Sequence, residues 1–401
     1  MTPFAFDEVT QLRGLLRLLA DGAVEVTDLV EALHGTIAQV SAPIGTSRPT
    51  RTRPIAGLVY GAVRGGMRGS AWALDAALGK LPSVATAGAN RERSRARLDA
   101  LAVLNGVLGD HLHRSGNPLA LPMTLVHQGQ VLALDSDLAL EGGRGKRIAK
   151  GKTRPVLLCI HGLCMHDGHW SRDGHDHGTA IANALDWTPL YLRYNSGLSI
   201  AANGIALAEQ LQALLRRWPQ MQLHVLTHSM GGLVMRSAIH HADASQQWPD
   251  RLRSICFLGT PHAGAPLERA GHRLDRLLEI SPYSAPFVRL GAARSEGITD
   301  LRHGRIADGP RDAHALPTSL PAFTIAATLG QRVGSLKDRM LGDGLVPLAS
   351  ALGKHRDIDL AIPPQRRRII ASTGHIELLS SPAVLAQLLS WLAPLASNNR
   401  A

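Results

Sequence analysis

From about residue 119 onward, strand-like and helix-like periods alternate, and this limits the fold more than any other feature of the chain. The short apolar runs are MTLVH, QVLALD, PVLLCIHG, LYLRYN, LHVLTHS, SICFLGTP, AFTIAATLG and RRIIAST, with helical patterns such as NGIALAEQLQALLRRW between the later ones. Such alternation is the mark of βαβ units around a mostly parallel sheet. The first two runs lie close together ahead of a linker, EGGRGKRIAKGKTR (141–154), and read as an antiparallel hairpin. After SICFLGTP the alternation lapses from about 263 to 318. An insertion of that length in a compact domain usually serves function, often as a cap or lid.

Residues 1–118 have a different texture. Val9, Leu12, Leu16 and Leu19 make one helical face, and Leu29, Leu33, Ile37 and Val40 make the next. Leu101, Leu104, Leu108 and Leu112 make another, which ends before Gly116-Asn117-Pro118. Gly57, Gly61, Gly65 and Gly69 are spaced for close helix packing, with Arg64 and Arg68 interrupting any membrane-like run. The net charge of +11 is unevenly placed. Ten of the basic residues (Arg48, Arg51, Arg53, Arg64, Arg68, Lys80, Arg91, Arg93, Arg95 and Arg97) fall within 41–97, against Asp75 and Glu92. A solvated basic face is the simpler reading, and peripheral contact with an anionic membrane is the other. No nucleic-acid motif or stacking aromatic accompanies the stripe, so no nucleic-acid partner is expected.

Cys159, Cys164 and Cys256 form no disulfide framework. Asp7 and Glu8 stand where a secretory signal would carry positive charge, and no apolar stretch approaches the ~20 residues that span a bilayer. The expectation is a cytoplasmic protein, peripheral to a membrane at most.

The chemistry centres on LHVLTHSMGGLVMRSAIHHA (223–242), where the period changes from strand to helix at Ser229. A strand entering a helix through so tight a turn lifts the turn residue's side chain above the sheet edge and requires small flanking residues. The pattern is normally Gly-x-Ser-x-Gly. Here it reads Thr227-His228-Ser229-Met230-Gly231, with threonine at the first glycine position. A serine in such a turn could simply cap the helix. The strand–turn–helix context favours a nucleophile instead.

A serine nucleophile needs a base, and the base an orienting acid. His375, in ASTGHIELLSSP after the last strand, is the candidate base, and Asp343, in GDGLVPLAS after the preceding one, the candidate acid. Asp338, Asp357 and Asp300 are rival acids, and His355 is a rival base. His262 precedes the acid and reads as structural. Oxyanion donors would be the backbone N–H groups of Leu163, after the strand ending in His161-Gly162, and of Met230. The same loop is rich in His161, His166, His169, His175 and His177, with Asp167, Asp173 and Asp176 between them. Their spacings fit no fixed metal-ligand pattern, and a polar loop over an active site accounts for them, so no metal is expected.

With HGL (161–163), HSMGGLV (228–234), GTPHAGAPLE (259–268), GDGLVP (342–347) and GHIELL (374–379) in hand, the chain resembles the α/β-hydrolase superfamily. Within it, the chain is most similar to the lipase-like group of GPI-inositol deacylases and lecithin:cholesterol acyltransferase-type enzymes. LRYNSGLSIAANG (192–204) carries the same likeness, which extends over about 119–396. Such sequences accept Ala or Thr at the position of Thr227. The resemblance implies an α/β-hydrolase fold, a mostly parallel eight-stranded sheet with flanking helices, preceded by an all-helical region at 1–118. It also implies a serine hydrolase acting on a small-molecule or lipid carboxylic ester, and it implies no cofactor. An acyltransferase, thioesterase or amidase would use the same residues. A non-catalytic module docked through its basic helical part and a metal-dependent hydrolase using the histidine loop are the competing classes.

Overall fold

The computed structural model describes residues 13–18, 20–21, 61, 65–66, 91–134, 154–265, 295–309, 315–331 and 342–397. Of the glycine stripe only Gly61 and Gly65 are described, of the basic stretch only 61, 65–66 and 91–97, and Asp338 lies outside the described residues. The chain divides into two compact units, one of residues 1–89 and 112–120, the other of 90–111 and 121–401.

In the first unit, residues 13–18 are helical. Arg17 donates to the Gly116 carbonyl (3.2 Å), and Asn117 donates from Nδ2 to the Gly14 carbonyl (3.0 Å).

The second unit is built on an eight-stranded sheet. Its strands are β1 (Thr124–His127), β2 (Gln130–Val131), β3 (Arg154–Ile160), β4 (Thr188–Arg193), β5 (Met221–His228), β6 (Leu252–Leu258), β7 (Ala322–Ala327) and β10 (Arg367–Ile370). Their order across the sheet is β10-β7-β6-β5-β3-β4-β1-β2. β3, β4, β5, β6, β7 and β10 run parallel, while β1 pairs antiparallel with both β2 and β4. This is the α/β-hydrolase fold, with all eight strand-like runs of the sequence in one sheet. A small hairpin, β8 (Lys354–His355) with β9 (Ile358–Asp359), occupies the KHRDID stretch, whose polar sequence reads as a helix-to-loop stretch without strand support.

Successive residues of a strand face opposite sides, and the core divides accordingly. Val156, Leu158 and Ile160 of β3 join one apolar cluster, whereas Leu157 and Cys159 join the other. The first cluster is covered by α1 (Arg91–Arg114), α3 (Ile200–Arg217), α4 (Met230–His241) and α5 (Glu296–His303). The second is covered by α2 (His177–Leu185) and α6 (Pro382–Ser397). α3 illustrates the local logic. Ser199 caps it by accepting the Ala202 N–H, Leu207, Leu211, Leu214 and Leu215 form its buried stripe, and Arg216 and Arg217 sit where the helix dipole favours cations. All three cysteines are free and buried.

The chain leaves β3 for β4 on one side, then returns to place β5 on the other. The C-terminal ends of β3 and β5 therefore flank a reversal of strand order, where open parallel sheets characteristically offer a crevice. Beside it, the loop after β4 is gripped from two sides. Asn195 donates from Nδ2 to the Gly109 carbonyl of α1 (2.9 Å) and accepts the Gly197 N–H (3.0 Å). Gly297 of α5 donates to the Gly197 carbonyl (3.1 Å), and Ser295 to the Gly106 carbonyl (2.7 Å). α1 thus takes part in the hydrolase unit although its sequence groups with the N-terminal helices. α5 falls within the 263–318 insertion, of which 266–294 and 310–314 lie outside the described residues. Among the described residues no helix is long and apolar enough to cross a membrane.

Asn195 is buried, so Asn195→Ala leaves the Gly197 N–H without its partner and removes one donor from the Gly109 carbonyl. The expected cost is about 1–3 kcal/mol of stability, a fall of several degrees in melting temperature by calorimetry. An unchanged melt would show that the Asn195 bonds add nothing to stability.

Candidate active site

Ser229 sits between β5 and α4 at φ 53°, ψ −125°, a conformation costing a non-glycine residue on the order of 1–3 kcal/mol. The turn is held because the Ser229 N–H donates to the Leu258 carbonyl at the end of β6 (2.9 Å). Although Ser229 occupies the N-cap position of α4, its side chain makes no capping hydrogen bond. The reading of Ser229 as a cap is therefore excluded. Gly231 lets α4 close onto β3, since a Cβ there would collide with the carbonyl oxygens of Ile160 and His161. Gly162 does the same for the facing loop, where a Cβ would stand 3.0 Å from the Ser229 Cβ. Thr227 fits the first elbow position by donating from Oγ1 to the Cys256 carbonyl (3.3 Å).

Asp343 and His375 meet directly. His375 Nδ1 lies 2.7 Å from Asp343 Oδ2, and the His375 N–H donates to the Asp343 carbonyl (3.1 Å). The other carboxylate oxygen, Oδ1, accepts the N–H groups of Leu345 (3.0 Å) and Val346 (2.8 Å). A carboxylate bonded in this way accepts only, so Nδ1 of His375 carries the proton and Nε2 presents a lone pair. That Nε2 is buried with no hydrogen-bond partner among the described residues. Ser229, Asp343 and His375 are each buried at the C-terminal edge of the sheet.

The rival residues within the described structure are engaged elsewhere. Asp300 accepts the Ile200 N–H at the start of α3 (3.0 Å). His355 and Asp357 pair with each other in the β8–β9 hairpin (3.2 Å). His262 is buried edge-on against Phe257.

The loop after β3 holds the Leu163 N–H. His161 stacks on Tyr194 (4.4 Å between ring centres, 20°), whose hydroxyl donates to the His161 carbonyl (2.8 Å). The Cys164 N–H donates to Ser196 Oγ (3.0 Å). Neither the Leu163 nor the Met230 N–H bonds to any described group.

The histidines of this loop separate into three groups rather than one. His161 faces Tyr194, His175 pairs with His177, and His166 and His169 converge on Asp99 of α1, a residue no motif singles out. Among the described residues, Asp99, His166 and His169 form the one group close enough to hold a metal. Their donor chemistry does not fit. His166 Nδ1 accepts the Gly168 N–H (3.0 Å), and His169 Nδ1 accepts the His166 N–H (3.1 Å). Each ring must then carry its proton on Nε2, so both present N–H groups, not lone pairs, toward Asp99 Oδ1 at 2.7 and 3.3 Å. The trio is a carboxylate clamp that ties α1 to the loop.

A family model described as "Domain of unknown function (DUF7379)" matches residues 136–290. No curated protein matches the chain. Solved structures similar to it include the mature form of the Bacillus licheniformis lipase BlEst2 (16% identity, 64% of this chain and 96% of that one, TM-score 0.43). The carboxylesterase CesB (YbfK) from Bacillus subtilis is also similar (11% identity, 75% and 98%, TM-score 0.39), as is a thermophilic esterase from Thermogutta terrifontis (16% identity, 61% and 92%, TM-score 0.38). The fold assignment itself rests on the strand order and the switch point.

Burial holds several histidines neutral. It pushes His161 and His224 down to about 3, and His177 to about 4. Burial pushes His169 to about 4. His228 and His262 are likewise driven well below the ordinary value by burial. Burial would raise Asp99 and Asp167, but the hydrogen bonds and charges around them outweigh it and hold both low. Between the unfolded histidine value of about 6.5 and these folded values, the unfolded chain binds more protons, so stability falls as pH falls. The depressed carboxylates extend that loss further into acid. His166 and Asp300 are raised and act in the opposite sense, but they are fewer. The melting temperature should therefore drop between about pH 7 and about pH 4.5, by roughly 2–4 °C per kcal/mol lost. A flat profile across that range would show these rings to be titrating in the folded state.

Proposed function

We propose that this protein is a serine hydrolase that cleaves carboxylic esters through an acyl-enzyme on Ser229. The observation that carries the reading is a serine in a strained positive-φ turn at a helix N-terminus, which does not cap that helix, together with a buried Asp343–His375 pair whose free nitrogen has no partner. Strain kept at a residue with no structural task is the signature of a functional one.

In this reading His375 Nε2 takes the proton from Ser229 Oγ as Oγ attacks the ester carbonyl. Asp343 remains ionised, fixes the His375 tautomer and offsets the imidazolium charge. The Leu163 and Met230 N–H groups receive the developing oxyanion, with the N-terminal end of α4 adding its positive dipole. His375 then returns the proton to the leaving alcohol. Water, activated by the same nitrogen, releases the acid. The likeness to the lipase group of GPI-inositol deacylases and lecithin:cholesterol acyltransferase-type enzymes favours lipophilic acyl groups.

A fluorophosphonate probe should label the wild-type protein and leave Ser229→Ala unlabelled. Ester turnover should fall by about 10⁴-fold or more in Ser229→Ala and His375→Gln, and by about 10⁴-fold in Asp343→Asn, where an amide no longer enforces the correct tautomer. Absence of labelling in folded wild-type protein would overturn the reading. In a panel of esters of rising acyl length, a sharp preference for acetyl would overturn only the lipophilic part.

A further inference from the structure

The loop carrying His375 is held by imidazoles from two other parts of the fold. His228, the last residue of β5, places Nε2 3.0 Å from the His375 carbonyl oxygen, and its ring lies 4.7 Å from the His375 ring at 46°. A carbonyl only accepts, so His228 donates from Nε2. His177, the first residue of α2, donates in the same way to the Leu378 carbonyl (3.0 Å), leaving its Nδ1 to accept from His175 Nε2 (2.7 Å). Asp343 already holds the His375 N–H and Nδ1. Main-chain N–H, main-chain carbonyl and Nδ1 of His375 are thus all fixed, and only Nε2 is left open.

We infer that His228 is a positioning residue for His375. Its Nε2–H anchors the His375 carbonyl and its ring abuts the His375 imidazole, so the residue immediately before the nucleophile sets the direction in which the base presents its lone pair. His177 secures the same loop three residues further on. One rigid strand end then controls both reacting groups, with Ser229 held through the backbone of β5 and His375 through the side chain of His228. The inference rests on the reading of Ser229, Asp343 and His375 as the catalytic set.

The test compares full-length wild type, His228→Phe, His228→Gln and His228→Asn in steady-state hydrolysis of a short-chain ester and in the rate of fluorophosphonate labelling, each variant checked by thermal melt. Phenylalanine fills the space of the ring without a donor. Glutamine can place an amide N–H near the former Nε2, whereas asparagine is one bond too short. The expected result is a kcat lower by roughly 10- to 100-fold in His228→Phe and His228→Asn with KM within about 3-fold, and a kcat within about 5-fold of wild type in His228→Gln. Wild-type kcat in His228→Phe overturns the inference, as does a His228→Gln variant as slow as a folded His228→Phe. Should His228→Phe fail to fold, the comparison of His228→Asn with His228→Gln decides, and equal rates overturn the inference. Wild type that does not label removes the catalytic reading as well, whereas labelling at equal rates across the variants removes this inference alone.

Discussion

The single residue at φ 53° between β5 and α4 sets the terms for everything around it. That backbone conformation is unfavourable, and it persists because neighbouring elements leave the chain no alternative. The Ser229 N–H is taken by the end of β6, α4 is pressed against the last carbonyls of β3, and the loop after β3 comes within reach only because residue 162 lacks a side chain. Three parallel strands must therefore end at the same level before the turn can exist. The registers Ile160 with Thr227 and His228 with Leu258 provide that level. The loops that supply Leu163, Asp343 and His375 all leave the same edge of the sheet, so the strained turn and its surroundings are specified together.

A second constraint is the use of buried histidine as a neutral hydrogen-bond donor. A protein core readily accepts an imidazole that is uncharged and bonded through one nitrogen, because burial penalises the charged form far more than the neutral one. His161, His224 and His228 fit that description, and His177 differs only in also accepting at its second nitrogen. Each uses one nitrogen to fix a neighbouring group, whether the Gly162 carbonyl, the Leu378 carbonyl, Ser254 Oγ or the His375 carbonyl. Asp99 shows the complementary arrangement, in which two rings share one carboxylate and the loop containing the Leu163 N–H is fastened to α1.

Much of the sheet was legible in the sequence because strand runs bounded by turn residues report burial on both faces directly. All eight runs became strands, and the elbow was visible because a change of period at a serine is a local signal. The Asp343–His375 contact was legible through chain order, since both residues follow strands of one parallel sheet. Other features were not. β8 and β9 are too short and polar to show a period. Asp99 is distant in sequence from the histidines it binds and lies in a helix with no motif. His228 was visible as a letter in the elbow, but its role depends on where the His375 carbonyl falls, which only the tertiary fold determines. The histidine-rich loop misleads in the opposite way, since proximity in sequence suggests one cluster where the chain sends its rings to three separate sites.

These features bear jointly on the proposed chemistry. When His375 accepts a proton it becomes a cation in a buried site, and its stability depends on the charges nearby. Asp343 supplies one negative charge in direct contact. Had the adjacent ring of His228 also been charged, two cations about 4.7 Å apart would repel by roughly 3–4 kcal/mol at an effective dielectric constant near 20. That would cancel a large part of what Asp343 contributes. Burial keeps His228 neutral, so it can grip the loop without opposing the charge the reaction develops. A lysine or arginine could make the same hydrogen bond to the His375 carbonyl, but only by bringing that opposing charge permanently into the site. Neutral donors at positions 228 and 177 satisfy both requirements, holding the base in place while leaving Asp343 as its counter-charge.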